Sequence, residues 1–431
     1  MSSIPLTFQA QLEWARQQDA ADPLARLRAN FALPRGTDGR ALVYLCGHSL
    51  GLAPLGARAM LDAELSDWEH LGVLGHEHAR NPWVSYAEQL QAPLAALVGA
   101  APQEVVAMNS LTVNLHLLLA HFYRPTGARR AILIEAGAFS SDRHAVASQI
   151  AWRGLDPADE LIELAARPGE AHLRPVDVEA AIAEHAPRLA LVFWPGVQYL
   201  TGQRFELAAV ARAAHAAGAL VGFDLAHAIG NVPLSLHADQ ADFAVWCSYK
   251  YLNGGPGAIG GAFVHERNLR AVVPRLTGWW GHEGTSRFEL ESRFLPATGA
   301  AAFALSNPPI MSSAPLRASL PLFAAAGLAS LRQKSLRLTG YLEALLRQLT
   351  DGQLEILTPS DPEQRGCQLS LRIAGGAARA TRLHAQLNGQ GVIADQRSPD
   401  VIRLAPVPLY NSFVDVVRCA WHLSDALKTS A

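Results

Sequence analysis

An α/β architecture is predicted here: a mostly parallel, doubly wound sheet followed by a smaller α+β unit. Three features of the sequence predict it. Between about residues 100 and 265, short continuous apolar runs alternate with segments that are apolar on one side at helical spacing. Continuous apolar strands are expected where a sheet is covered on both faces, and strand–helix repetition favours parallel pairing. After about residue 310 that alternation gives way to one long helical stretch and several short strands. Finally, 431 residues are too many for one small core, so more than one packed unit is expected.

The elements follow in order. Residues 1–55 end in a strand-like ALVYL (41–45) and a tight GHSLGL turn (47–52). This segment is read as joining the small unit or bridging subunits. Residues 56–310 form the large unit, with strand candidates EVVAM (104–108), AILIE (131–135), LIEL (161–164), LALVFW (189–194), ALVGFD (219–224), FAVWC (243–247) and GAFVH (261–265). Between them, VDVEAAIAEHA and ELAAVARAAHAAG carry apolar residues at helical spacing. Residues 311–431 form the small C-terminal unit. Its helical stretch (314–349) leads into LEILTP, QLSLRI, a helix near 378–388, VIADQ, VIRLAP and a closing helix.

Composition excludes several classes. A net charge of -2 and a pI of about 6.8 leave no electrostatic footprint for nucleic acid or an anionic membrane. Cys46, Cys247, Cys367 and Cys419 are far apart with no C-x-x-C spacing. They read as buried thiols of a reducing compartment, not as a disulfide framework or zinc site. The N-terminus shows no basic start followed by an apolar core, and no apolar run reaches membrane-spanning length. A cytoplasmic protein is expected.

Only three of the 36 basic residues are lysine, namely Lys250, Lys334 and Lys428. Lys250 ends the run ADFAVWCSYK, where a group able to act as a neutral amine suits chemistry that a guanidinium cannot perform. Lys334 and Lys428 read as solvated helix charges.

Asp224 closes a strand 26 residues before Lys250, with His227 just beyond. A strand-end acid followed by a lysine at the next strand's end suits a pyridoxal phosphate enzyme, the carboxylate keeping the pyridine nitrogen protonated. The run YLNGGPGAIGG after Lys250 allows tight turns beside a bulky ligand, although an ordinary Gly-rich hairpin reads equally well. NSLTVN (109–114) opens a helix after a strand, where amides and Thr112 could hold a phosphate or Ser110 and Thr112 could simply cap. Phe139, in a loop after the next strand, could stack on a ring or belong to the core. Asp224 with His227, and His76 with His78 beside Glu77, lack a recognisable third ligand, so no metal is expected.

At these residues the chain resembles the kynureninases, fold-type-I pyridoxal phosphate hydrolases. FDLAHAIGNVPLSLH and ADFAVWCSYKYLNGGPGAIGGAFVHE carry the likeness, with YLCGHSLGLAP, MNSLTVNLHLLL, GVQYLTGQ, GWWGHE, ALSNPPI and IRLAPVPLYNSF in the family's order. The resemblance implies that Lys250 carries the Schiff base and that Tyr249 contacts the phosphate and donates a proton. It places Leu111 and Thr112 at the phosphate, Phe139 on the ring with Ser140, Ser141 and Asp142 continuing that loop, and Asp224 at the pyridine nitrogen near His227. Trp279 and Asn307 would reach the site from a partner subunit, implying a homodimer. Arg403 would clamp the substrate α-carboxylate, and Ser49, His76 and Ser306 would line the aryl pocket. Pro195 departs from the family, which often has a small hydroxyl residue there.

The implied activity is hydrolytic cleavage of the β–γ carbon bond of L-kynurenine, or of its 3-hydroxy derivative, to an anthranilate and L-alanine, within tryptophan breakdown or NAD synthesis. A cysteine desulfurase or related lyase is the alternative, and it needs a mobile nucleophilic cysteine. A scaffold that binds cofactor without turnover is disfavoured by the presence of Lys250, Asp224, Tyr249 and Arg403.

Overall fold

The computed structural model describes residues 5–269, 274–289 and 292–429; residues 1–4 of the stretch read for a leader lie outside them. A short strand β1 (Val43–Tyr44) precedes the large sheet. The seven apolar runs become β2 (Val105–Ala107), β3 (Ala131–Glu135), β4 (Leu161–Leu164), β5 (Leu189–Pro195), β6 (Leu220–Asp224), β7 (Phe243–Trp246) and β8 (Gly261–Val264). They form one sheet in the order β2-β8-β7-β6-β5-β3-β4. The pairs β4/β3, β3/β5, β5/β6 and β6/β7 are parallel, while β8 runs antiparallel to both β7 and β2. The expected mostly parallel α/β sheet is thus present.

Two buried clusters cover its faces. One holds Leu133, Val192, Trp194, Phe223, Ala244 and Phe263 with helical residues such as Val178 and Val210. The other holds Ile132, Phe193, Phe243 and Val245 with Leu115, Leu118 and Val146. Neighbouring residues on a strand point to opposite faces, so a sheet walled on both sides needs runs without polar alternation.

The C-terminal part is built on β9 (Leu354–Ile356), β10 (Leu369–Ile373), β11 (Val392–Ile393), β12 (Asp395–Arg397) and β13 (Val401–Leu404). A four-stranded antiparallel sheet runs β12-β13-β10-β9, and β11 pairs in parallel with β1. Leu12, Val43 and Leu45 share a core with Leu342, Leu371, Leu404 and Leu423. Leu316, Leu320 and Phe323 belong instead to the large core.

Three details differ from the sequence reading. The long helical stretch is two helices, Ile310–Ala326 and Leu328–Leu349, bent by 84° at Gly327. Its φ of 74° is one that L side chains rarely adopt. VIADQ is split between β11 and β12, so it serves two sheets. Lys334 is a buried cation, not a solvated one: its Nζ lies 2.8 Å from Asp22 Oδ2, with both side chains almost fully enclosed. The helix turns that face onto the N-terminal segment, and Asp22 supplies the compensating charge. Lys428 is exposed, as read. Among the described residues no single helix is long and apolar enough to cross a membrane.

Candidate active site

Lys250 stands in the turn that follows β7, held by backbone bonds from Asn253 to its carbonyl (3.0 Å) and from Gly254 to Ser248 (2.8 Å). The GHSLGL turn packs directly beneath. The Gly51 N–H donates to the Tyr249 carbonyl at 2.8 Å. A Cβ on Gly51 would sit 2.3 Å from the Lys250 carbonyl oxygen and from Asn253 Oδ1, so this close approach requires glycine. Lys250 Nζ then lies 5.8 Å from the ring centroid of Phe139 and 5.9 Å from that of Tyr249.

Phe139 is 41% exposed, so it is not core filling. It meets the Tyr199 ring edge-on at 5.3 Å. The Tyr199 carbonyl in turn accepts from Arg403 Nη1 at 2.7 Å. One loop thereby connects the lysine's aromatic neighbour to the buried arginine of β13.

Beneath Phe139 three acids converge on a small cavity lined by Glu135, Asp142, Pro195 and Asp224. Asp224 and Pro195 are register partners on β6 and β5. Asp224 Oδ1 accepts from the Ala226 N–H at 2.8 Å. Burial raises the Asp142 carboxyl well above the carboxylate range, and the charge and hydrogen bond of Asp224 add to that. Burial also raises Asp224, but Lys250, the Ala226 amide and the hydrogen bond from Asp142 all oppose it. Asp142 is therefore the member that keeps a proton, and Asp224 the one that holds negative charge. Glu135 is pushed up to about 8, chiefly by burial. Tyr249 is raised, first by burial and then by Cys247, so its hydroxyl keeps its proton at neutral pH.

The helix Leu111–Phe122 begins at Ser110 in extended conformation with no side-chain capping bond. Its first amides are thus not spoken for by a cap. Thr112 Oγ1 lies 2.7 Å from Ser141 Oγ, tying this helix start to that of Ser140–Trp152. Two adjoining helix N-termini with two hydroxyls offer donors of the kind that suit a phosphate. An amine, an exposed ring beside it, a buried carboxylate pair and an uncapped helix start are together the donor set that pyridoxal phosphate requires.

Behind Lys250, His227 is buried with no partner on Nδ1, and burial followed by the Lys250 charge pushes it well below the usual histidine range. Its ring lies 6.4 Å from that of His48. Ser49 sits in the same turn as His48, its N–H donating to the Cys46 carbonyl at 2.8 Å. Arg403 is 1% exposed and bonded to Asp395.

His76, Trp279 and Asn307 are not brought to Lys250 within one chain. They line a separate cleft of about 430 Å³ with Trp83 and Phe288, and its lining includes none of Lys250, Phe139 or Asp224. Ser306 is exposed beside Asn307. Val73, Leu74, Trp279 and Phe288 on this cleft are 76%, 58%, 52% and 59% exposed, an unusual concentration of open apolar surface.

Sequence reasoning missed Glu135, His48 and Asp395. Glu135 carries the signal that revealed Asp224, an acid closing an apolar strand. It also missed Glu104, His237 and His265, whose ligand atoms lie within 4.8 Å of one another. Glu104 there accepts the Ala101 and Glu266 amides as well as His237.

The comparisons now bear on this geometry. A family model described as the kynureninase C-terminal domain matches residues 331–423. A kynureninase of Xanthomonas oryzae pv. oryzae is 58% identical over 398 residues, covering 92% of this chain and 94% of its own. One of Stenotrophomonas maltophilia is 56% identical over 401 residues, with 92% and 94% covered. Among solved structures, the C-DES mutant with glycine covalently linked to its PLP cofactor superposes with a TM-score of 0.76 at 20% identity, covering 89% of this chain and 96% of that one. The cysteine desulfurase CsdA of Escherichia coli gives a TM-score of 0.74 at 20% identity, with 94% and 98% covered. At that identity these structures speak to the fold alone. The kynureninases, more than half identical over nine-tenths of both chains, settle its kinship: the chain belongs to the kynureninase family.

Proposed function

We propose that this protein is a pyridoxal phosphate enzyme that hydrolyses the β–γ carbon bond of L-kynurenine or its 3-hydroxy derivative, releasing the anthranilate and L-alanine. The observation that carries the reading is Lys250 Nζ, 5.8 Å from the Phe139 ring and 5.9 Å from the Tyr249 ring and within the field of Asp224, in a chain of this family. When bound, the cofactor supplies an aldehyde for amines and a ring that takes up the electron pair left by the departing α-proton.

The chain's residues divide the remaining work. Lys250 holds the aldehyde and carries the substrate α-proton. Asp224, whose charge is favoured first by Lys250 and then by the Ala226 amide, holds a proton on the pyridine nitrogen. Phe139 covers one ring face. Leu111, Thr112 and Ser141 hold the phosphate, with Ser140 beside them and Tyr249 reaching it. Tyr249, with its proton retained, donates to the β-carbon as the acyl group leaves with water's oxygen. Arg403 grips the α-carboxylate, a bidentate task for a guanidinium.

His76, Ser306, Trp279 and Asn307 are read as serving the site of a second subunit, with His76, Ser306 and Ser49 around the aryl group. The exposed apolar residues of their cleft support a homodimer. A cytoplasmic setting fits four buried free cysteines. The same burial argues against a desulfurase, whose sulfur acceptor must be a mobile thiol.

Purified protein given L-kynurenine should form fluorescent anthranilate and alanine in equal amounts. Sulfide from cysteine without anthranilate would contradict the reading and favour the lyase alternative.

A further inference from the structure

We infer that Asp395 is the positioning residue that aims Arg403 at the substrate carboxylate and sets the charge of that pocket. This rests on the reading of Arg403 as the carboxylate clamp. Asp395 and Arg403 are direct register partners on β12 and β13. Asp395 Oδ2 accepts from Arg403 Nε at 2.7 Å and also from Nη2. Nη1 donates to the Tyr199 carbonyl at 2.7 Å. A guanidinium has five N–H donors. Three are thereby fixed, leaving one on each terminal nitrogen, the two that can grip a carboxylate.

The same oxygen is approached by two further groups, Arg397 Nε at 3.2 Å and His48 Nε2 at 3.4 Å. Burial, then the charge of Arg403, pushes His48 down to about 4, so it stays neutral at pH 7. Two arginines then face one carboxylate, and the pocket carries a single net positive charge, which matches one incoming carboxylate. His48 and His227 both lie in the fields of Lys250 and Arg403, so this charge balance is set beside the amine that does the chemistry. A guanidinium at 1% exposure without its counter-ion is an uncompensated buried charge. It turns toward whatever acceptor is nearest and loses its aim.

The test uses the holoenzyme and three ligands: L-kynurenine, L-alanine, and the decarboxylated amine of kynurenine. Asp395→Asn keeps the shape and removes the charge. Its KM for L-kynurenine and its Kd for L-alanine should rise together by about 10- to 100-fold, the range for a misplaced positioning contact. The kcat should change far less, and inhibition by the decarboxylated amine should hold its wild-type strength. An unchanged KM and Kd overturns the inference; equal weakening of the amine overturns it too, by making Asp395 merely structural. If Asp395→Asn fails to take up cofactor, Asp395→Glu serves. It keeps the charge but displaces it by a methylene, and should show the same KM-against-kcat split to a lesser degree, with wild-type KM contradicting the inference. Arg403→Gln separates the two claims. If L-alanine binds that variant at wild-type strength, the clamp reading itself fails, whatever Asp395 does.

Discussion

Asp142 and Asp224 line one small cavity at the floor of the site, where the Asp224 charge adds to the burial that raises the Asp142 carboxyl. Interacting acids titrate as a pair; Lys250 and the Ala226 amide favour the charge on Asp224, which leaves the proton on Asp142. Asp142→Asn preserves a neutral donor and should retain most activity. Asp142→Ala leaves Asp224 short of a partner and should lower kcat by about 10- to 100-fold, the cost of an unmade buried hydrogen bond. Steady-state kinetics on the two variants check this, and equal losses would contradict it.

Stability should fall on both sides of neutrality. His48 and His121 are pushed down to about 4, in each case mainly by burial and then by arginine charge. Unfolded histidines titrate near 6.5, so between those values the unfolded chain binds more protons and stability is lost as pH falls. A shift of this size is worth about 3 kcal/mol per residue. Glu135 has the opposite sign. Its folded value of about 8 lies above the ordinary 4.5, so its contribution is present at low pH and lost as pH rises toward 8. Melting temperatures from pH 4 to 9 should pass through a maximum, and Glu135→Gln should raise Tm at pH 8 more than at pH 5.

Gly51 should tolerate no side chain. Its added Cβ would strike the Lys250 carbonyl and Asn253 at 2.3 Å, displacing the turn that aims Nζ. Gly51→Ala should reduce kcat by about 100-fold, as misplacement of a reacting group does, with a visible change in the cofactor spectrum. Wild-type kinetics in this variant would show that the turn has slack.

Lys334 should matter for folding and not for chemistry. Removing one partner of a buried pair costs about 3–5 kcal/mol, so Lys334→Ala should lower the denaturation midpoint markedly. Lys334→Ala together with Asp22→Ala should recover part of the loss.

Much of this was legible in the sequence, for identifiable reasons. All seven large-sheet strands coincide with apolar runs; six are almost wholly buried because both faces are walled, while the edge strand β4 carries the exposed Glu163 within its run. Lys250 and Asp224 stood out because rarity and strand-end position are one-dimensional signals. Gly327 did not, since a glycine inside a helical pattern is ordinary until its φ is known. Lys334 was misread because helical periodicity says which face a residue occupies, not what covers it. Asp395 and Arg403 lie eight residues apart, and only the antiparallel register of β12 and β13 makes them neighbours. Glu135 was hidden inside its own strand signal.

The central claim is that Lys250 is the amine that holds the cofactor, and this chain offers an unusually clean test. It contains three lysines: one beside Phe139, one buried against Asp22 and one exposed near the C-terminus. Reduction of the yellow holoenzyme with borohydride, followed by peptide mass mapping, should place the pyridoxyl mass on the peptide carrying Lys250. Label on Lys334 or Lys428 alone, or on no lysine at all, would contradict the account.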